Sequence, residues 1–303
     1  MHTPQIKLSQ QGPILSRIVA GTMTWGEWGA DYSAGRMAEM MSHCLDRGIT
    51  TFDHADIYGH YSTEETFGRA LTQLGTRVRA QMQLVTKCGI RLTTKRRPDN
   101  RLKSYDTSKE YIIESAERSL RNLQTDYLDL FLIHRPDPLM DPAEIAEAFE
   151  ALRMAGKVRH FGVSNFTPHQ FALLGSVTPL VTNQVECHPL NPAVMFDGTF
   201  DQLLQKNLRP MVWSPLGGTK YFGGEGTTVL RLRDRVQTLA RKYEVAEDVL
   251  LLAWLLRHPS QPLPVVGTTK EERLTATADA LALELDRQDW FAILEAARGG
   301  EVA

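Results

Sequence analysis

Short, apolar, β-branched runs recur along the chain at 17–20, 50–52, 83–86, 128–133, 158–163, 181–185, 210–213 and 263–266. Each is too short and too uniformly apolar for a half-exposed strand, so the pattern predicts a parallel sheet buried on both faces. Between these runs the apolar positions take helical spacing, at 34–47, 64–74, 108–122, 142–155, 168–174, 199–206, 229–243 and 271–283. Ser108, Asp141 and Thr167 stand as N-caps, the last two ahead of Pro142 and Pro168. Gly48, Gly75 and Gly156 fall where helices should stop. Eight strands alternating with eight helices favour an α/β fold, a closed (β/α)8 TIM barrel, over a doubly wound open sheet with a second domain. Extra helices are predicted at 247–256 and 286–298, and an N-terminal hairpin over 6–15 is expected to cover the barrel floor. No Pro/Gly/Ser linker divides the chain, so residues 1–303 read as a single barrel domain.

Composition changes this picture mainly by exclusion. With 34 Lys+Arg against 36 Asp+Glu and a net charge of −2, nothing argues for nucleic acid or an anionic membrane as partner. The longest apolar run, 249–256, is far short of the roughly 20 residues that span a bilayer. The N-terminus carries no basic start followed by an apolar stretch, so no signal peptide is expected. Three cysteines without a CxxC pair point to a reducing, cytoplasmic setting. No HExxH occurs and Cys187-His188 is a lone adjacent pair, so no metal is expected. The sequence leaves the oligomeric state open and is compatible with a monomer.

In a barrel of this kind the active site lies at the C-terminal ends of the strands. The predicted strands run into Asp53, Lys87, His134, Ser164-Asn165, Asn183-Gln184 with Glu186, and Trp213-Ser214. So many polar groups at the tips of buried strands would be costly unless they met one another or a ligand. Just beyond Asp53 the chain returns a tyrosine, Tyr58, over the expected mouth.

The segments FDHADIYG, VTKCG, LIHRPD, FGVSNF, NQVECHP and WSPLGG, in this order, resemble the aldo-keto reductase superfamily, in particular a bacterial branch described simply as oxidoreductases. The likeness runs from about residue 17 to 283. It implies a catalytic set of Asp53, Tyr58, Lys87 and His134, with Tyr58 as the general acid that protonates a substrate carbonyl oxygen. Free tyrosine has a pKa near ~10, and the Lys87 ammonium, itself held by Asp53, is expected to lower it. His134 is expected to donate to the same oxygen.

Hydride must come from a cofactor. With no GxGxxG present, the resemblance implies NADPH/NADP+ rather than NADH, laid out across the barrel mouth. The positions implied to bind it are Gly21, Thr22, Met23, Asp53, Ser164, Asn165, Gln184, Trp213, Ser214, Leu216, Gly217, Gly267, Thr268, Thr269 and Arg273. Trp213 replaces the family's usual nicotinamide-stacking Tyr, Arg273 matches the residue that favours the 2′-phosphate, and the family's frequent Glu-Asn pair falls on Ala276-Thr277. Trp25 and Trp28, with Tyr58 and His134, are expected to wall the pocket for a small-molecule carbonyl substrate. Two other readings stand beside this one: an NADPH-binding regulatory subunit without significant turnover, and a Schiff-base lyase using Lys87.

Overall fold

The computed structural model describes residues 2–301, apart from the Thr76 side chain. The chain opens with an antiparallel hairpin, β1 (Gln5–Lys7) and β2 (Ile14–Ser16). The barrel begins with β3 (Val19–Gly21), β4 (Thr51–Asp53) and β5 (Gln83–Cys88). A second small hairpin, β6 (Ile90–Arg91) and β7 (Ser104–Tyr105), follows β5. The barrel then continues through β8 (Leu130–Ile133), β9 (Phe161–Ser164), β10 (Asn183–Glu186), β11 (Met211–Trp213) and β12 (Leu263–Val266). β12 pairs back onto β3 through Val265↔Val19 and Val266↔Ala20, closing an eight-stranded parallel barrel.

All eight expected strands are present, each shifted by a few residues at most from its apolar run. The expected helices also form, including the two extra ones at Glu247–Leu256 and Arg287–Arg298. Their ends follow from local chemistry. The Ser108, Asp141 and Thr167 side chains each accept a backbone N–H of the following turn, and Thr167 forms a reciprocal capping box with Gln170. Gly48 and Gly156 end their helices at φ of 74° and 70°, a region where a Cβ is penalised.

Strand alternation decides what faces the centre. Val85 on β5 and Leu130 and Leu132 on β8 pack in the barrel interior with Val19, Met211, Leu263 and Val265. Leu84, Cys88, Phe131 and Ile133 instead pack outward, in the cluster formed with the surrounding helices. Leu8 and Leu15 belong to the interior cluster, so the first hairpin plugs the floor as expected. The same alternation places Lys87 in phase with Val85, and Asp53 in phase with Thr51 rather than with the outward Phe52. Charge therefore collects at one end of the barrel because the interior strand faces terminate there in polar residues.

Candidate active site

At the C-terminal end of the strands, Lys87 connects three groups. Its Nζ donates to Asp53 Oδ2 at 2.6 Å, to the His54 carbonyl at 2.7 Å and to the Tyr58 hydroxyl at 3.2 Å. Its side chain is only 1% exposed, and that of Asp53 2%, so a lone charge on either would be expensive. The other carboxylate oxygen of Asp53 accepts Gln184 Nε2 at 2.8 Å. The pair is thus neutralised and both its oxygens are hydrogen-bonded.

Tyr58 is delivered by an unusual turn. Gly59, His60 and Tyr61 follow it at φ of 56°, 55° and 73°, three successive left-handed residues. Each non-glycine residue in that region costs roughly 1–2 kcal/mol, so the turn persists only because its side chains are tied down. Ser62 Oγ donates to the Gly59 carbonyl at 2.6 Å, Trp28 Nε1 donates to His60 Nε2 at 3.2 Å, and Tyr61 OH accepts Leu92 N–H at 2.9 Å. The Tyr58 ring then sits 6.0 Å from Trp28 and 6.2 Å from His134, edge-on to the imidazole.

Asn165 and Ser214 leave β9 and β11 in the same left-handed region, at φ of 61° and 50°. Asn165 is fixed there by its own side chain. Its Nδ2 donates to Ser164 Oγ at 2.7 Å and its Oδ1 accepts Trp213 Nε1 at 3.0 Å, while Ser164 Oγ donates to the Gln184 carbonyl at 2.8 Å. Ser164, Asn165, Gln184 and Trp213 thereby form one connected polar rim.

Burial sets the protonation states. It opposes the Lys87 charge most strongly, but Asp53 and the Tyr58 oxygen together outweigh it and hold the ammonium above its ordinary pKa. Burial likewise dominates at Tyr58, raising its pKa despite the adjacent Lys87. This corrects the sequence expectation of a net lowering: Lys87 does pull downward, but removal of the phenol from water wins. His134 is driven well below the usual imidazole range by burial and then by Lys87, Arg135 and Lys103, so it is neutral. His54, fully buried with Nδ1 2.8 Å from Thr22 Oγ1, is pushed down to about 3.

These groups open on a cavity of about 1210 Å³. Asp53, Tyr58, His134, Ser164, Asn165, Gln184 and Trp213 line one part of it, with Gly21, Met23 and Trp28 alongside. A groove continues past Ser214, Leu216, Gly218 and Thr219 to Gly267, Thr268, Thr269, Lys270 and Arg273. The Arg273 guanidinium lies 5.6 Å over the Phe222 ring. Ala276 and Thr277 belong to the same lining.

Four expected residues lie behind this surface. Trp25 is fully buried, packs edge-on against Phe52 at 6.2 Å and spends its indole N–H on the Thr268 carbonyl, so it supports the pocket from the core instead of walling it. Thr22 is fully buried and donates to the Asp53 carbonyl at 3.0 Å. Lys87 does not line the cavity itself and touches it through its partners Tyr58 and Asp53. Gly217 lies outside the lining, at φ 74° in the turn that presents its neighbours Leu216 and Gly218. Conversely, the sequence reading missed Ile57, Ile90, Leu92, Tyr105, Arg135 and Phe222, all of which line the cavity together with Lys103 of the basic 88–107 segment. Arg135 adjoins the His134 motif and was within reach of it; the others carry no local signal.

Residues 17–298 match the sequence profile described as "Aldo/keto reductase family". The chain is 48% identical over 301 residues to the oxidoreductase YdhF of Escherichia coli, covering 98% of this chain and 99% of that one. It is 44% identical to a 6-dehydroglucose reductase of Agrobacterium fabrum, covering 95% of this chain and 96% of the relative. Among solved structures, a glycerol dehydrogenase of Gluconobacter oxydans superposes with a TM-score of 0.83 at 24% identity, covering 98% of this chain and 95% of that one, a likeness of fold. No helix among the described residues is long and apolar enough to cross a membrane.

Proposed function

The chain belongs to the aldo/keto reductase family, an oxidoreductase family acting on C=O and CH–OH groups, and on that premise we propose that it reduces aldehydes and ketones to alcohols with NADPH. The observation that carries the reading is the buried line Asp53–Lys87–Tyr58, linked at 2.6 and 3.2 Å and ending in a hydroxyl that lines a cavity.

In this reading Tyr58 gives its proton to the carbonyl oxygen. The Lys87 ammonium stabilises the tyrosinate left behind, and Asp53 with the His54 carbonyl keeps that ammonium charged and aimed. His134, being neutral, retains one ring N–H to donate to the same oxygen and orient the carbonyl. NADPH, when bound, supplies the hydride for the carbonyl carbon. The donor set fits such a group. Trp213 offers a ring face, Ser164, Asn165 and Gln184 offer polar groups for a carboxamide, and the groove from Ser214 to Thr269 offers hydroxyls and backbone N–H groups for phosphates. Lys270 and Arg273, both on the cavity lining, support preference for a 2′-phosphate.

A Schiff-base lyase would require Lys87 neutral and free, against its ion pair and raised pKa. The free, buried Cys44, Cys88 and Cys187 support a reducing compartment, and we take the chain to act as a single barrel unit in the cytoplasm.

The test is a fluorescence titration with NADPH and NADH, followed by oxidation of the reduced cofactor with 4-nitrobenzaldehyde and with sugar aldehydes, the latter prompted by the 6-dehydroglucose reductase relative. Tighter binding of NADPH with turnover is expected. Binding without turnover on any carbonyl would point to a regulatory subunit, and no binding of either nucleotide would overturn the assignment.

A further inference from the structure

The segment joining β5 to the next helix, 88–107, carries six basic residues. Three of them hold the segment in place. Arg91 donates to Asn100 at 3.0 Å and to Asp106 at 3.1 Å, Arg96 pairs with Glu27 at 3.3 Å, and the Arg97 guanidinium lies 4.9 Å over the Tyr61 ring. Pairing of β6 with β7, Ile90↔Tyr105 and Arg91↔Ser104, then folds the segment back and sets Lys103 on the cavity wall. Of the six, Lys103 alone combines a place on that wall with no ion pair among the described residues.

A second cation lines the same cavity. Arg135 directly follows His134, is half-buried, and lies 5.5 Å over the Trp213 ring. It too lines the cavity and is in no ion pair among the described residues. Arg135 is placed at the reacting end by its adjacency to His134 and its position over Trp213, and both cations help to lower the pKa of His134. Four acids of the surrounding elements are already committed. Asp53 is taken up by Lys87 and Gln184, Asp106 by Arg91 and Ser108, Glu27 by Arg96 and His60, and Asp137 by Thr107 and the Leu139 N–H. Neither cation is among the positions assigned above to the cofactor phosphates, which run from Ser214 to Arg273. The same cavity has an apolar lining that includes Trp28, Ile57, Ile90 and Leu92. Two cations on a cavity with an apolar lining favour a ligand with a compact carbon frame and a negative end, Arg135 being half-buried and Lys103 exposed at the rim.

We propose that Lys103 and Arg135 form an anion subsite beside the reacting carbonyl, so that the preferred substrates are aldehydes or ketones that carry a carboxylate or an equivalent oxyanion. This rests on the reading that a carbonyl is reduced at Tyr58, and it adds a specificity-determining role for two residues outside the Asp53–Lys87–Tyr58 line.

The experiment compares kcat/KM for 4-carboxybenzaldehyde with that for its neutral methyl ester, methyl 4-formylbenzoate, at low and high salt. Three proteins are used: the unaltered protein, the double variant Lys103→Gln/Arg135→Gln, and Arg135→Lys. The unaltered protein should prefer the carboxylate by about tenfold, the value of a single hydrogen bond to a charged group. Salt should shrink that preference, the double variant should abolish it, and Arg135→Lys should keep most of it. Because the readout is a ratio, damage to the Trp213 platform or to folding cancels between the two substrates. Equal turnover of both aldehydes by the unaltered protein, or a preference that survives in the double variant, overturns the subsite while leaving carbonyl reduction standing. Absence of turnover on either aldehyde, 4-nitrobenzaldehyde included, overturns both.

Discussion

Replacing Asp53 by Asn removes one charge from the most deeply buried ion pair in the site while keeping its shape. Lys87 retains its bonds to the His54 carbonyl and to Tyr58, but the 2.6 Å carboxylate partner is gone from a site where its own side chain is 1% exposed. Breaking a buried pair in this way costs about 3–5 kcal/mol, and the two retained bonds argue for the lower end. The sign of the pH dependence follows from the same bonds. In the unaltered protein the folded-state pKa of Lys87 is raised, so its contribution is fully present below the ordinary lysine pKa and fades only as pH rises through the higher folded value. Without Asp53 the remaining dominant influence is burial, which lowers the Lys87 pKa below its unfolded value. The variant's folded state then binds fewer protons than its unfolded state, and its stability should climb with pH by up to about 1.4 kcal/mol per unit. Urea unfolding of both proteins at neutral and moderately alkaline pH measures this. The expected result is a deficit of about 3 kcal/mol or more near neutrality that narrows as pH rises. A deficit below ~1 kcal/mol, or one that stays constant with pH, would refute the claim that Asp53 keeps Lys87 charged.

Two further outcomes follow from the electrostatics. Because His134 lies well below the usual imidazole range and Tyr58 above the usual phenol range, kcat/KM for reduction should be flat from mildly acidic to moderately alkaline pH. It should decline only above the ordinary phenol range, as Tyr58 loses its proton; a descending limb near neutrality would contradict the raised Tyr58 pKa. Arg273→Gln should cut the preference for NADPH over NADH by about ten- to a hundredfold with little change in NADH affinity, measured by fluorescence titration, while an unchanged ratio would remove Arg273 from 2′-phosphate recognition.

The barrel was legible because its eight strands are buried on both faces and therefore stand out as apolar runs, while caps such as Ser108 and Asp141 mark where helices begin. The polar tips of those runs, Asp53, Lys87 and His134, were legible for the same reason: a charge ending a buried strand is conspicuous. What remained hidden depends on distant contacts. Trp25 resembles Trp28 in sequence, and only the approach of Phe52 and Thr268 sends one to the core and the other to the cavity. The β6–β7 hairpin consists of two pairs of residues separated by a long loop, too short for any periodicity, yet it brings Lys103 and Tyr105 to the wall. The direction of the Tyr58 shift was misjudged because spacing reveals the nearby ammonium but not the depth of burial around the phenol.

The central claim is that Tyr58 is the proton donor of a carbonyl reduction, and Tyr58→Phe tests it most directly. The measurement is kcat with saturating NADPH and 4-nitrobenzaldehyde, paired with NADPH affinity on the same preparation. The account predicts a loss of about 10²–10⁴-fold in kcat with NADPH affinity unchanged, because the hydroxyl lost is bonded to Lys87 and not to the groove assigned to the cofactor phosphates. Turnover within a few-fold of the unaltered protein would contradict it.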